Sequence, residues 1–279
     1  MDTQDLMKIP FRETMLAATG ALVLLFTLPF VTTVLAQTSA ERGLQIMQAQ
    51  EASDAGWQSA RVSGTMVLYD ASKRAIERSF VVLRAERNTA EEGDLSLILF
   101  RDPADVRGTV LLTHSKVEPA DDDQWLYLPV NRRVRRIASS NRTGKFLSSE
   151  FSYEDMGGSE LEDNTYEWLE DAPCPGAADL PCHLVAAYPK SRASGYSKRL
   201  MWLDTKEYRP YQSEYYNRGG HLEKRLTLSG YNSYQGHWRP DLMQMENLQT
   251  GRRTDMRWDD YRFGIQLSAS DFSPQRLGR

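Results

Sequence analysis

The stretch RVSGTMVLYDASKRAIERSFVVLRAER, residues 61–87, decides the fold. Its first half alternates apolar with other residues, breaks at the turn-like Asp70-Ala71-Ser72-Lys73, and a second run of the same kind follows. That is the period of extended chain, not of helix. LSLILF is apolar on both sides, as expected of a strand covered on each face. TVLLTH, QWLYLP and RRVRRI continue the series, followed by TYEWLE, CHLVAAY, KRLMWLD, YQSEYY, HLEKRLTLSGY, LMQMENL and RTDMRWDDYRF. Arg218-Gly219-Gly220, Gln235-Gly236 and Thr250-Gly251 supply turns between several of them. A dozen or so strands, with too little sequence for helical crossovers, predict a mainly β (α+β) protein built on a single large antiparallel sheet, curled or closed into a barrel. Before Trp57 the period is helical: Ser39 is a candidate cap for a helix over 40–55, with Leu44, Met47 and Ala52 tending to one side. The less strand-like segment 139–162 is expected to form a short helical or loop lid.

The N-terminus points to the compartment. Lys8 and Arg12 precede an apolar run, MLAATGALVLLFTLPFVTTVLA, that closes on the small-residue pattern Val34-Leu35-Ala36. This order reads as a secretory signal over residues 1–36, with an uncleaved membrane anchor as the alternative. Residues 37–279 then form one domain, since no Pro/Gly/Ser-rich linker divides them. Cys174 and Cys182, the only two cysteines, bracket a short loop; in an oxidising compartment they are most simply a disulfide, contributing about 2–3 kcal/mol on the chain-entropy model. A metal pair would lack ligands beyond His183.

Charge argues against nucleic acid. Arg132, Arg133, Arg135, Arg136, Arg142 and Lys145 cluster after the aromatic run, but the whole chain is formally −4 and Asp121, Asp122 and Asp123 lie beside the cluster. Chemistry-bearing motifs are equally scarce. His114, His183, His221 and His237 make no H-x-H or H-E-x-x-H pair, and there is no G-x-S-x-G elbow or phosphate-cradling glycine loop. The acidic EPADDDQ lacks the alternating ligands and central glycine of a calcium loop. The sequence therefore implies no enzyme, no metal and no cofactor. Aromatic residues in or beside strands, among them Trp125, Tyr127, Trp238, Trp258 and Tyr261, suit either an ordinary β core or a cavity for acyl chains.

LILFRDPADVRGTVLLTH and QWLYLPVNRRVRRIASSNRTGKFLSSEFSYEDM resemble the LolA-like family of periplasmic outer-membrane lipoprotein-sorting proteins, with weaker echoes in LMWLDTKEYRPYQSEYYNRGG, ENLQTGRRTDMRW and DFSPQRL. The resemblance spans residues 57 to 277. It implies an incomplete antiparallel barrel wrapped over helices around an apolar lipid cavity. It also implies a monomeric, non-enzymatic periplasmic carrier of lipid or lipoprotein acyl chains, served by lipoprotein-release machinery or an inner-membrane RND/MMPL-type permease. Its motif falls on Trp125 to Pro129, on Arg132 to Ile137, and on Gly144, Phe146, Phe151, Tyr153, Glu154, Asp155 and Met156. Ser148 and Glu150 stand where the family pattern has glycine and aspartate, which questions any need for positive φ at 148.

Alternation places Trp125, Tyr127 and Pro129 on one face of a hairpin turning at Pro129-Val130-Asn131, and Leu126 and Leu128 on the other. Each face of the second strand mixes arginine with an apolar residue. The expected ligand site at a cavity mouth is therefore Trp125, Tyr127, Arg132, Arg135, Arg136, Phe146, Phe151, Tyr153 and Asp155. There an arginine either meets a lipid headgroup or pairs with Asp155 and Glu154 to hold the lid shut. Two rival readings remain: an accessory subunit of an envelope transporter whose interior is filled by its own side chains, and a secreted hydrolase on a β scaffold.

Overall fold

Thr38, one residue before the expected Ser39, starts the helix α1 (Ser39–Asp54). Its hydroxyl accepts from the Glu41 amide while the Glu41 carboxylate accepts from the Thr38 amide, so two otherwise unpaired donors are satisfied reciprocally. The computed structural model describes residues 37–278 apart from Asn88, Ala90, Glu91, Glu118 and Ser159; the signal-peptide reading of Met1–Ala36 lies outside the described residues. The buried stripe of α1 is Gly43, Ile46 and Met47, a helical i, i+3, i+4 spacing, whereas Leu44 points outward. Gly43 explains the shift of face. A Cβ there would come within 2.6 Å of the Trp168 amide, so only glycine lets the helix backbone lie directly on the sheet.

Every predicted run is a strand. In chain order they are β1 (Ser59–Tyr69), β2 (Ala75–Ala85), β3 (Glu92–Asp102), β4 (Val110–Lys116), β5 (Asp123–Leu128), β6 (Arg133–Ile137), β7 (Asn164–Cys174), β8 (Ala177–Pro189), β9 (Tyr196–Asp204), β10 (Pro210–Asn217), β11 (Leu222–Tyr234), β12 (His237–Asn247) and β13 (Arg252–Phe263). They form one antiparallel sheet in the order β6-β5-β4-β3-β2-β1-β13-β12-β11-β10-β9-β8-β7. Two meanders are thus joined where β1 pairs with β13, and β6 and β7 are left as edges. The sheet does not close into a barrel.

Antiparallel pairing gives the sheet two ends. At one lie the start of β1, the end of β2, the β9–β10 and β11–β12 turns and the end of β13. At the other lie the β1–β2, β5–β6, β10–β11 and β12–β13 turns. One face carries the main core, with Met66, Phe80, Phe100, Leu111, Leu226, Met245 and Met256 from many strands. Ile46 and Met47 of α1 cover Tyr166, Val185, Ala187 and Leu203 on the same sheet.

The segment 139–162 forms the expected short helices and loops, with 3-10 turns at Ser139–Asn141, Phe146–Ser148 and Leu161–Asp163, but it packs as a plug and not as a loose cover. Phe146 and Phe151 are buried in the main core, and Ser149, Glu150 and Ser152 are buried with them. Phe146 is wholly buried, with its ring 5.9 Å from that of Phe100. A cover held weakly enough to open would not place two phenylalanines and a glutamate inside the core. Ion pairs fix it: Lys145 and Arg252 meet Glu150 at 2.6 and 2.9 Å, and Lys224 meets Asp155 at 2.6 Å. Arg78 donates to the Leu147 carbonyl at 2.7 Å. Ser148 does adopt positive φ, at 65°, and Leu147 beside it is at 47°. The plug also bridges the unclosed gap: Glu154 accepts from Gly195 N at 2.8 Å after β8, and the Gly158 amide donates to Asp122 at 3.0 Å before β5.

Candidate functional site

At the end away from the plug the sheet encloses a hollow of about 500 Å³. Strand alternation builds its floor. Val62 of β1, Val82 of β2, Leu228 of β11, Met243 of β12 and Trp258 of β13 all project into it. Gln50, Ser53 and Asp54 from the last turn of α1, with Trp57 just beyond, form one wall. Tyr231, Trp238, Tyr261 and Phe263 form the aromatic sides; Tyr261 lies 6.1 Å from Phe263 and 6.5 Å from Trp258 between ring centroids. Burial pushes the Tyr231 and Tyr261 phenols far above their ordinary value, so both stay neutral. The size falls within the roughly 300–1,000 Å³ of ordinary small-molecule sites.

Three arginines ring this hollow, each on an aromatic ring. Arg84 lies over Trp57 at 5.0 Å, Arg209 over Trp238 at 4.5 Å and Arg239 over Phe263 at 5.3 Å. Each also has a carboxylate partner: Asp94 at 3.5 Å from Arg84, Asp204 at 2.7 Å from Arg209, and Asp54 of α1 for Arg239. Cation–aromatic stacking and ion pairing hold the planar groups at the rim.

The sequence-predicted residues lie elsewhere, and none of them lines this hollow. Trp125 and Tyr127 face away from the plug. Trp125 packs with Leu95, Leu112 and Phe272, edge-on to His114 at 4.9 Å, and Gly278 lies against the Tyr127 ring. Arg132 sits in the β5–β6 turn at φ 50°, at the end of the sheet opposite the hollow. Arg135, Arg136 and Tyr153 line a separate pocket of about 360 Å³ with Leu126 and Ile137, and Arg136 is paired with Asp123. Phe146, Phe151, Tyr153 and Asp155 do come together, but as the plug. The hairpin itself is as expected: Trp125 pairs with Arg136, Leu126 with Arg135 and Tyr127 with Val134. The cation that meets Asp155 is Lys224 of β11, not a hairpin arginine; Arg142, 3.7 Å from Glu154, is the nearest to the expected lock. Cys174 and Cys182 form a disulfide with Cα atoms 5.0 Å apart.

The residues that do line the rim carry a signal in the sequence. Tyr208-Arg209-Pro210 and Trp238-Arg239-Pro240 are two aromatic-Arg-Pro triplets, one at the start of β10 and the other at the start of β12. Both fall on the same end of the sheet; Pro210 opens β10, and Pro240 stands opposite Tyr231 of β11 just before β12 begins to pair with β13 at Leu242, so neither proline costs much pairing.

A family model described only as "Uncharacterized protein" matches residues 92–279. No curated protein matches the chain. Among solved structures, an outer membrane lipoprotein-sorting protein domain from Vibrio parahaemolyticus is 38% identical, covers 86% of this chain and 100% of its own, and superposes with a TM-score of 0.81. A DUF1329 family protein from Desulfovibrio piger is 25% identical over the same coverage, also at 0.81. A LolA superfamily protein from Nitrosomonas europaea, 19% identical and covering 85% of this chain and 98% of its own, shares the fold at 0.65.

Proposed function

This chain belongs to the LolA-like family of outer membrane lipoprotein-sorting proteins, and from that premise we propose that it is a non-enzymatic periplasmic carrier. It takes the acyl chains of a lipid or lipoprotein out of water for transfer towards the outer membrane. The observation that carries this reading is the open apolar hollow between the last turn of α1 and strands β1, β2 and β10–β13. Sheltering hydrocarbon there offsets about 0.8 kcal/mol for each CH₂ removed from water. The periplasmic location rests on the sequence of residues 1–36, and the Cys174–Cys182 disulfide suits that compartment.

The reading of an accessory subunit without cargo draws on a different observation. The plug fills one half of the sheet's interior with the protein's own side chains. The unfilled half is what favours a carrier. For Arg132, Arg135 and Arg136 we propose a partner-facing role in place of ligand contact. They stand on or beside the edge strand β6, next to Val130, which is 92% exposed. An inner-membrane RND/MMPL-type permease or lipoprotein-release machinery is the partner that the family resemblance suggests for them.

Native mass spectrometry of the protein purified from the periplasm tests the carrier reading. The expected spectrum contains an adduct that organic extraction identifies as an acylated molecule. Protein that arrives without cargo and also fails to bind a fluorescent fatty acid contradicts it.

A further inference from the structure

The rim of the hollow has its own chemistry. Arg209 is anchored from behind: its Nε donates to Asp204 at 2.7 Å, and Asp204 is fully buried. That carboxylate also accepts from the backbone amides of Lys206, Glu207 and Arg209, at 3.1, 2.8 and 3.1 Å. Its charge is therefore shared among four donors, and Arg209 keeps much of its own. Stacking over Trp238 holds the guanidinium plane at the wall of the hollow. Among the described residues neither η nitrogen of Arg209 has a hydrogen-bond acceptor. Arg239 repeats the arrangement from the next aromatic-Arg-Pro triplet, with one η nitrogen committed to Asp54 and to the Trp238 carbonyl at 2.8 Å. Arg84 adds a third guanidinium.

A guanidinium only donates. An apolar hollow rimmed by fixed donors that are only partly committed to protein acceptors therefore selects a ligand whose polar end only accepts. Resting on the carrier reading, we infer that the hollow takes an amphiphile with an anionic headgroup, a carboxylate or a phosphate, bound by the η nitrogens of Arg209 while its hydrocarbon lies against Leu228, Met243 and Trp258. A neutral ester or amide head accepts hydrogen bonds but lacks the charge that makes this contact strong.

The test compares oleate, oleoyl lysophosphatidic acid and methyl oleate, each below its critical micelle concentration, by displacement of a fluorescent acyl probe. The expected result is that the wild-type protein binds one or both anionic ligands at least tenfold more tightly than the methyl ester. A preference for oleate alone points to a carboxylate, and for the lysophosphatidic acid to a phosphate. In Arg209→Gln the preference for the anionic ligands over methyl oleate falls to within about threefold; Arg209→Lys restores part of it. Equal wild-type affinity for all three overturns the headgroup assignment and leaves the carrier reading standing. Binding of none of them overturns both. A preference that survives in folded Arg209→Gln overturns the assignment to Arg209. The wild-type comparison needs no variant, so a destabilised Arg209→Gln does not protect the inference.

Discussion

Lys224 and Asp155 meet with side chains only 7% and 4% exposed, which makes them the residues where a single change acts most strongly. Ser152 N and the Tyr196 hydroxyl also donate to Asp155, each at 2.7 Å. Lys224→Met would leave that carboxylate buried without its cation, and is expected to lower unfolding free energy by about 3–5 kcal/mol in urea titrations. Burial alone would raise the Asp155 carboxyl, but the Lys224 charge and the surrounding hydrogen bonds outweigh it and hold the group below its ordinary value. Its stabilisation is thus present above the unfolded pKa and lost as pH falls through the lower, folded one. Asp163 has the opposite sign. Burial raises it to about 6; the Glu160 amide opposes that, and the Asp122 charge adds to it. The folded state therefore holds this proton more tightly between about pH 4 and 6, and ionisation costs stability above that window. Asp163→Asn keeps the acceptor for Glu160 N. After discounting for solvent screening it is expected to stabilise by about 1 kcal/mol at pH 7.5 and by nothing measurable at pH 4, in paired thermal melts. Ser148, at φ 65°, marks the place where the sequence alone misled. A serine there suggested that no left-handed residue was required, yet the conformation is kept, so Ser148→Gly is expected to stabilise by up to about 1 kcal/mol.

At the scale of elements, the strands were legible and the lid was not, for a physical reason. Period-two alternation reports which side of a strand meets the core, and that signal is local; all thirteen runs appear as strands. Whether an irregular segment covers a cavity or fills it depends on contacts with residues distant in sequence. Glu150 meets Arg252, and Asp155 meets Lys224 across the sheet, so no window within 139–162 contains the answer. The helix was legible in extent but not in face, because Gly43 packs through an absent side chain that hydrophobic spacing cannot register. These contacts assign different dynamics to the two elements. The plug's amides, with Phe146 N bonded to Phe151 O at 2.8 Å and Tyr153 N to Gly144 O at 3.0 Å, are expected to exchange with deuterium nearly as slowly as the core strands. The last turn of α1, which walls the hollow and is tied to the sheet through Asp54 and Arg239, is expected to exchange sooner and to slow when an acyl ligand is added. Ligand-dependent protection of the plug with none in α1 would reverse these roles.

For the molecule as a whole, the unclosed sheet has one end filled by its own chain and the other end open. The sequence pointed to an apolar cavity with arginines at its mouth, and the structure holds such a cavity, but at other residues. The Arg132–Arg142 cluster stands out in the sequence because its five arginines lie close together. The rim is assembled instead from Arg84, Arg209 and Arg239, which come from separate hairpins and converge only because antiparallel pairing brings their turns to one end. The most direct test of this division is a crystal structure with a bromine-terminated fatty acid, located by the anomalous signal of its bromine. A bromine peak is expected inside the hollow, against Leu228, Met243 and Trp258, with the carboxylate at the arginine rim. A peak beside Trp125 and the β5–β6 hairpin, or ligand-saturated crystals with the hollow empty, would contradict this division.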